Sequence, residues 1–263
     1  MLFLNKAIEK LQKIVDESQN IVFFGGAGVS TESGIPDFRS TSGLYRQEWK
    51  YPPETILSHG FFITDTEEFY RFYRAKMLIT DVKPNAAHLK LAELEHKGKL
   101  KAVITQNIDG LHQAAGSKCV YELHGSILRN YCMECRQFYD AEYIKNYKPK
   151  DENGNLIENP TLKQLVPVCS CPDCRGTVKP DVVLYEEGLD NQTMENSINA
   201  IASCDTLIVG GTSLAVYPAA GLLRYFKGEN LVLINKSHTN YDYKATLRVS
   251  APIGEVLSKI EVR

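Results

Sequence analysis

No excess of charge of either sign marks this chain: 30 lysines and arginines stand against 32 aspartates and glutamates, a formal net charge of −2. That balance supplies no bulk field to draw in a polyanion, and no local basic patch stands out, so nucleic acid is not expected as a partner. Long hydrophobic runs are missing too. No apolar stretch approaches the roughly 20 residues that span a bilayer, and the opening Met1-Leu2-Phe3-Leu4-Asn5-Lys6 lacks the layout of a secretory leader. A soluble, cytoplasmic protein with no membrane partner is expected. Cysteine is scarce, with seven in 263 residues, which excludes a disulfide scaffold; an odd number in a reducing compartment points to metal binding or free thiols. Internal repeats and low-complexity tracts are absent.

Apolar residues make up 43% of the chain and charged ones 24%, enough for a core that folds alone. At this length one large domain with a smaller attached module is expected. Residues 5–18 carry Ala7, Ile8, Leu11, Ile14 and Val15 at helical spacing, followed by the short apolar run Ile21-Val22-Phe23-Phe24. Similar runs recur at 102–105, 182–185, 206–209 and 231–234, and continuous apolar strands suit a parallel sheet covered on both faces. Helical stretches at 86–97, 192–202 and 218–226 alternate with them, which predicts a doubly wound, Rossmann-like α/β domain built from 1–41, 84–127 and 179–263. Residues 42–83, aromatic-rich and helical in pattern, and the cysteine-bearing 128–178 break that rhythm. They would form a smaller helical and zinc-binding module.

Gly26-Ala27-Gly28 follows a strand and precedes a helix expected from about Ser30, the place where backbone N–H groups can bind a diphosphate. Thr31 stands where a third glycine would complete the dinucleotide fingerprint, so the turn alone is a weak signal. Gly34-Ile35-Pro36-Asp37-Phe38-Arg39-Ser40 then adds a carboxylate, an aromatic ring and a cation able to cover a cofactor. Gln106, Asn107, Ile108 and Asp109 follow another strand end, where open α/β sheets place ligand contacts; Asn107 or Asp109 would serve equally as a helix N-cap. Of the six histidines, His124 precedes a glycine at a strand end and is the better exposed candidate base. His112 competes from within a helical turn, while His59, His88, His96 and His238 read as structural or surface residues.

Taken in order, Gly26-Ala27-Gly28 with Gly34 to Arg39, Thr105-Gln106-Asn107-Ile108-Asp109-Gly110-Leu111-His112, Leu123-His124-Gly125, and Gly211-Thr212-Ser213-Leu214 with Val216 to Ala220 resemble the sirtuin motifs in content and spacing. The resemblance runs from about residue 20 onward and is of the bacterial type. It implies an NAD-dependent protein-lysine deacetylase in which NAD is consumed. The acetyl group passes to the ADP-ribose part, releasing nicotinamide, free lysine and O-acetyl-ADP-ribose. On that reading His124 accepts a ribose hydroxyl proton, Asn107 and Asp109 position the ribose and nicotinamide, and Gly26, Ala27, Gly28, Thr31, Asp37, Phe38 and Arg39 line the cofactor loop. Gly211, Thr212, Ser213 and Asn235 would face the adenosine half, with Ile253 near the adenine.

Cys132-x-x-Cys135 and Cys171-x-x-Cys174 offer two knuckles that close a tetrahedral, structural zinc site with no position left for water. Cys169 is a rival third ligand. The two-residue spacing, and the family's distance to Lys179-Pro180, favour Cys171; Cys119 and Cys204 read as core residues. Residues 182–188 and 211–218 resemble the segments between which sirtuins hold an acetyl-lysine peptide as an added strand. Glu186 stands where the family often has glycine and Lys179 where arginine is frequent. The family members that prefer acidic acyl groups carry a Tyr-x-x-Arg pattern; here Tyr73 takes the arginine's place and Arg74 falls one step late, so acetyl is expected over succinyl. A mono-ADP-ribosyltransferase and a non-enzymatic nucleotide-binding module are the two rival readings.

Overall fold

The computed structural model describes residues 2–37 and 49–262. In chain order its strands are β1 (Ile21–Gly25), β2 (Leu100–Thr105), β3 (Val120–Glu122), β4 (Gly125–Cys132), β5 (Phe138–Asp140), β6 (Val178–Val182), β7 (Thr206–Gly210), β8 (Asn230–Ile234) and β9 (Leu247–Val249). The α-helices are α1 (Leu2–Glu17), α2 (Pro53–Ile56), α3 (His59–Thr64), α4 (Thr66–Phe72), α5 (Ala86–His96), α6 (Leu111–Ala114), α7 (Ala141–Lys145), α8 (Asn191–Ser203) and α9 (Ile253–Leu257). The chain divides into two compact units. Met1–Phe38, Val82–Leu123 and Leu189–Arg263 make the first; Arg39–Asp81 and His124–Gly188 make the second.

The first unit is built on a parallel sheet in the order β3-β2-β1-β7-β8-β9. Counting only its own strands along the chain, this is the doubly wound order 3-2-1-4-5-6, whose direction reverses between β1 and β7. Every residue of β1 and β7 is buried, as a strand covered on both faces requires. Successive residues serve opposite cores. Phe23, Ile208, Val232 and Ile234 pack with Leu11, Leu91, Leu94, Val256 and Leu257 of α1, α5 and α9. Val22, Phe24, Leu207, Val209 and Leu233 pack on the other side with Ile201 of α8 and with Leu222 and Leu223. Removing one of these phenylalanine rings would cost about 3–5 kcal/mol. Caps fix where the helices start: the Asn85 side chain accepts from Ala87 N at 2.9 Å, and the Asp190 carboxylate accepts from Thr193 N at 2.7 Å.

The apolar run at 182–185 is no strand of the parallel sheet: β6 ends at Val182 and pairs antiparallel with β4 in the second unit. Residues 219–225 form a 3-10 rather than an α-helix. No α-helix begins near Ser30; two 3-10 turns, Ala27–Val29 and Thr31–Ser33, flank it. Strand β9, with Arg248 between two apolar residues, is too short to register as a pattern and was not expected. His124 and residues 179–188, expected with the larger domain, fall in the second unit.

In the second unit β4 pairs antiparallel with β5 and β6. Helices α2 to α4, followed by a π-helical turn over Tyr73–Met77, carry its core. Phe62, Phe69, Tyr70, Phe72 and Tyr73 are buried there. Phe62 meets Phe69 edge-on at 4.9 Å between centroids, and Phe69 stacks on Tyr73 at 5.6 Å, the geometries aromatic quadrupoles favour. Among the described residues no helix is long and apolar enough to cross a membrane.

Candidate functional site

In the first unit the polar residues gather at the carboxyl ends of β1, β2, β7 and β8, around the β1/β7 reversal where open α/β sheets bind ligands. The loops that follow β1 and β7 interlock backbone to backbone: Gly28 N donates to Gly211 O at 2.7 Å and Gly26 N to Gly210 O at 3.3 Å. A Cβ on Gly28 would lie 2.8 Å from both Gly211 Cα and Gly211 O, so only glycine fits that crossing. The Thr31 hydroxyl turns back to Gly28 O at 3.0 Å and closes the turn. Ala27 and Asp37 are half-buried. Phe38 and Arg39 lie outside the described residues.

Beyond β2, Gln106 N donates to Gly25 O, and its Nε2 donates to Thr212 Oγ1 at 3.0 Å, tying the two strand ends together. Buried Asn107 donates through Nδ2 to Ser30 Oγ at 3.0 Å, and Ser30 Oγ donates to Asp109 Oδ2 at 2.6 Å. Ile108, half-buried, lies between them in sequence. The other oxygen of Asp109 accepts from Leu111 N at 2.9 Å. The N-cap of α6 is Gly110, without a side-chain cap, so neither Asn107 nor Asp109 takes the capping role that the sequence offered as an alternative. At the far strand ends Asn235 Oδ1 accepts from Thr212 N at 3.0 Å, while Asn235 Nδ2, buried, has no partner among the described residues. A buried donor without a partner is costly unless a ligand takes it up. Ser213 is exposed, and Ile253 packs against the backbone of Gly210, where an added Cβ would be 2.2 Å from its Cδ1. A close glycine crossing, an unclaimed amide and an open strand-end row suit an elongated polar ligand such as a dinucleotide.

Sequence reasoning missed Ser30, which joins Asn107 to Asp109, and Asn85, whose Nδ2 donates to Val29 O at 2.8 Å and to Ser33 Oγ at 3.0 Å. Asn85 was open to discovery, since it stands as an N-cap directly before an apolar-periodic run. Glu32 was also missed; its carboxylate accepts from Gly254 N at 2.7 Å and so anchors the start of α9 beside Ile253.

His112 is enclosed rather than available as a base. Its ring is buried edge-on to His88 at 4.7 Å, and burial, with the neighbouring His88, pushes its pKa down to about 3. His124 belongs to the second unit, half-buried directly before β4, with its carbonyl accepting from Val183 N at 3.0 Å. Gly125 behind it has φ 74°, and a Cβ there would sit 1.9 Å from Asp181 O. The close pairing with β6 thus demands the glycine of the His-Gly pair. In the same unit residues 183–187 are tied down by Tyr185 N to Leu57 O and His59 N to Tyr185 O, both at 2.9 Å. Glu186 has φ 76°, the conformation that explains why glycine is frequent there, and its Oε2 accepts from Gly60 N at 2.8 Å.

The cysteines come together as a metal site requires, with one correction. The sulfurs of Cys132, Cys135, Cys169 and Cys174 lie within 4.8 Å of one another, so Cys169 stands where Cys171 was expected. Cys132 to Cys174 and Cys135 to Cys169 are each 3.5 Å apart. Thiolates around a tetrahedral zinc at about 2.3 Å are separated by about 3.8 Å. The group fits that ion.

Residues 26–218 match the model of the Sir2 family. The chain belongs to that family. It is 59% identical over 262 residues to an NAD-dependent protein deacetylase of Clostridium acetobutylicum, covering 99% of this chain and 100% of that protein. It is 54% identical to one from Clostridium perfringens, covering 98% and 99%. Among solved structures, a Sir2 with a deacetylated p53 peptide and 3'-O-acetyl ADP-ribose superposes with a TM-score of 0.83 at 37% identity, covering 96% of each chain. A Sir2 with p53 peptide and NAD+ superposes with 0.79 at 37%, covering 95% of each. The parallel sheet, inserted smaller unit and cysteine group of this Sir2 protein are the fold the motifs implied.

Proposed function

We propose that this Sir2 protein removes acetyl groups from lysine side chains of peptides held as extended strands, consuming NAD and releasing nicotinamide and O-acetyl-ADP-ribose. The observation that carries the reading is the polar row at the β1/β7 reversal, where Ser30 grips Asn107 and Asp109 and where Asn235 keeps an unclaimed buried amide. NAD supplies, when bound, a labile glycosidic bond to nicotinamide and the sugar that receives the acyl group. This chain's residues do the rest. The turn Gly26-Ala27-Gly28, with Thr31 and Asp37, lines the cofactor loop, and its lack of side-chain bulk lets the diphosphate come close to the backbone. Asn107 and Asp109, kept rigid by Ser30, orient the ribose and carboxamide; Gly211, Thr212, Ser213, Asn235 and Ile253 receive the adenosine half. His124 takes the proton of a ribose hydroxyl through its imidazole, the side chain suited to base chemistry near neutral pH.

Zinc held by four thiolates has no open position for water, so its part is to brace the smaller unit. Thiolate ligands of this kind go with a reducing, cytoplasmic setting. The deciding experiment incubates the purified protein with an acetyl-lysine peptide, with and without NAD, and follows nicotinamide, free lysine and O-acetyl-ADP-ribose by mass spectrometry. NAD-dependent appearance of all three supports the reading. ADP-ribose bound covalently to protein, without loss of acetyl, replaces it with the transferase reading, and no turnover of NAD at all leaves only a nucleotide-binding module.

A further inference from the structure

The smaller unit holds five cysteines where four suffice, and the structure lets the ligands be told from the bystander. Val168 pairs with Thr177 and Cys169 N donates to Gly176 O at 2.8 Å, forming a hairpin whose tip is the turn from Cys171 O to Cys174 N at 3.1 Å. This pairing sets Cys169 at the base of the hairpin, buried, and Cys171 on its half-exposed tip. Of the two cysteines of this turn, Cys174 brings its sulfur into the mutual set and Cys171 does not.

Two further contacts separate the candidates. The sulfur of Cys169 receives the Tyr139 hydroxyl at 3.1 Å and the backbone N–H of Cys171 at 3.4 Å, donors of the kind that stabilise and orient a metal-bound thiolate. It lies 3.5 Å from Cys135 Sγ and within 4.8 Å of all three other members of the group. Cys171 Sγ reaches Cys135 Sγ at 4.0 Å but does not belong to the mutual set.

We infer that Cys132, Cys135, Cys169 and Cys174 ligate the zinc of this protein, and that Cys171 is a free thiol beside the site that donates only its backbone N–H to the Cys169 sulfur. The first test is brief alkylation of the native, zinc-loaded full chain with iodoacetamide, followed by peptide mapping. Cys171 is expected to be carboxamidomethylated with the zinc retained, while Cys132, Cys135, Cys169 and Cys174 stay protected. The second compares Cys169→Ser with Cys171→Ser in zinc content and in competition with a chromophoric chelator. Cys171→Ser should keep one zinc with unchanged affinity, and Cys169→Ser should weaken binding at least tenfold or lose the metal. Alkylation of Cys169 in the native protein, or metal loss by Cys171→Ser, overturns the assignment. So does equal retention by both variants, which would make the two thiols interchangeable. The labelling arm does not depend on either variant folding.

Discussion

The Ser30 hydroxyl, donating to Asp109 at 2.6 Å and accepting from Asn107 at 3.0 Å, couples two residues that lie 79 and 77 positions away along the chain. Being buried, it contributes position rather than direct solvent chemistry. Ser30→Ala should free the Asn107 amide and one oxygen of Asp109, whose other oxygen still holds Leu111 N. Since misplacement of about 1 Å can cost about 100-fold in rate, kcat/KM for NAD is expected to fall about 10- to 100-fold. Stability in urea should fall as well, by about 1–3 kcal/mol, because the buried Asn107 amide loses its acceptor, so the kinetics are read where the variant is fully folded. Steady-state kinetics against NAD at saturating peptide check this; an unchanged kcat/KM would show that Ser30 only packs.

His88 and His112 give the protein a defined response to acid. His88 Nδ1 accepts from the Asn85 backbone N–H at 3.2 Å, which requires the neutral ring with its hydrogen on Nε2. Burial lowers its pKa to about 4, against a smaller opposing pull from Asp109, and lowers that of His112 to about 3. Between these values and about 6.5 the unfolded chain binds more protons than the folded one, so stability is full above pH 6.5 and declines as pH falls. Each ring contributes a slope of up to about 1.4 kcal/mol per pH unit. Shifts of carboxylates such as Glu187 and Asp242 act only below their ordinary range near 4; the cysteine thiolates of a bound zinc also take up protons in acid, so the part due to the two rings is read from the His112→Leu comparison. Urea denaturation at pH 7.5 and pH 5 should give a markedly lower midpoint in acid, and His112→Leu should flatten the difference whatever its stability at pH 7.5.

Arg74 bears on the acyl group. Its Nε donates to Ile144 O at 3.0 Å and its Nη2 to Leu165 O at 2.8 Å, so the guanidinium is spent on carbonyls of its own unit. The tyrosine three places after Tyr70 is buried in the aromatic core. A succinyl carboxylate should thus find no cation from this helix. The ratio of kcat/KM for acetyl over succinyl peptide is expected above about 10, a discrimination of roughly 1.4 kcal/mol. Arg74→Ala should lower thermal stability by orphaning two carbonyls, yet leave the ratio unchanged. Comparable turnover of the two peptides would reject the reading.

What could be read from sequence followed from how far each feature depends on distant parts of the chain. Strands β1, β2, β7 and β8 were legible because burial on both faces leaves an uninterrupted apolar run. The run from Val182 to Tyr185 had the same look for a different reason, since Val182 and Leu184 are buried in the smaller unit. Asn107 and Asp109 were legible through their place at a strand end; Ser30, which joins them, was not, because nothing local marks a serine between two turns. Spacing favours Cys171 over Cys169, and it cannot register that the pairing of Val168 with Thr177 brings the Cys169 sulfur into the group with Cys132, Cys135 and Cys174.

Asn235 allows structural and ligand roles to be separated within one side chain. Its Oδ1 takes the Thr212 N–H at 3.0 Å, and its Nδ2 has no partner among the described residues. Asn235→Ala removes both ends. Loss of the oxygen leaves a buried N–H unsatisfied, which should destabilise the protein without ligand by about 1–3 kcal/mol. Loss of the amide should separately shrink the rise in melting temperature that saturating NAD produces, since that rise follows the affinity of the folded state for its ligand. Thermal melts with and without NAD, on wild type and variant, read the two effects independently. A variant that melts lower but gains as much from NAD as the wild type would confine Asn235 to holding Thr212.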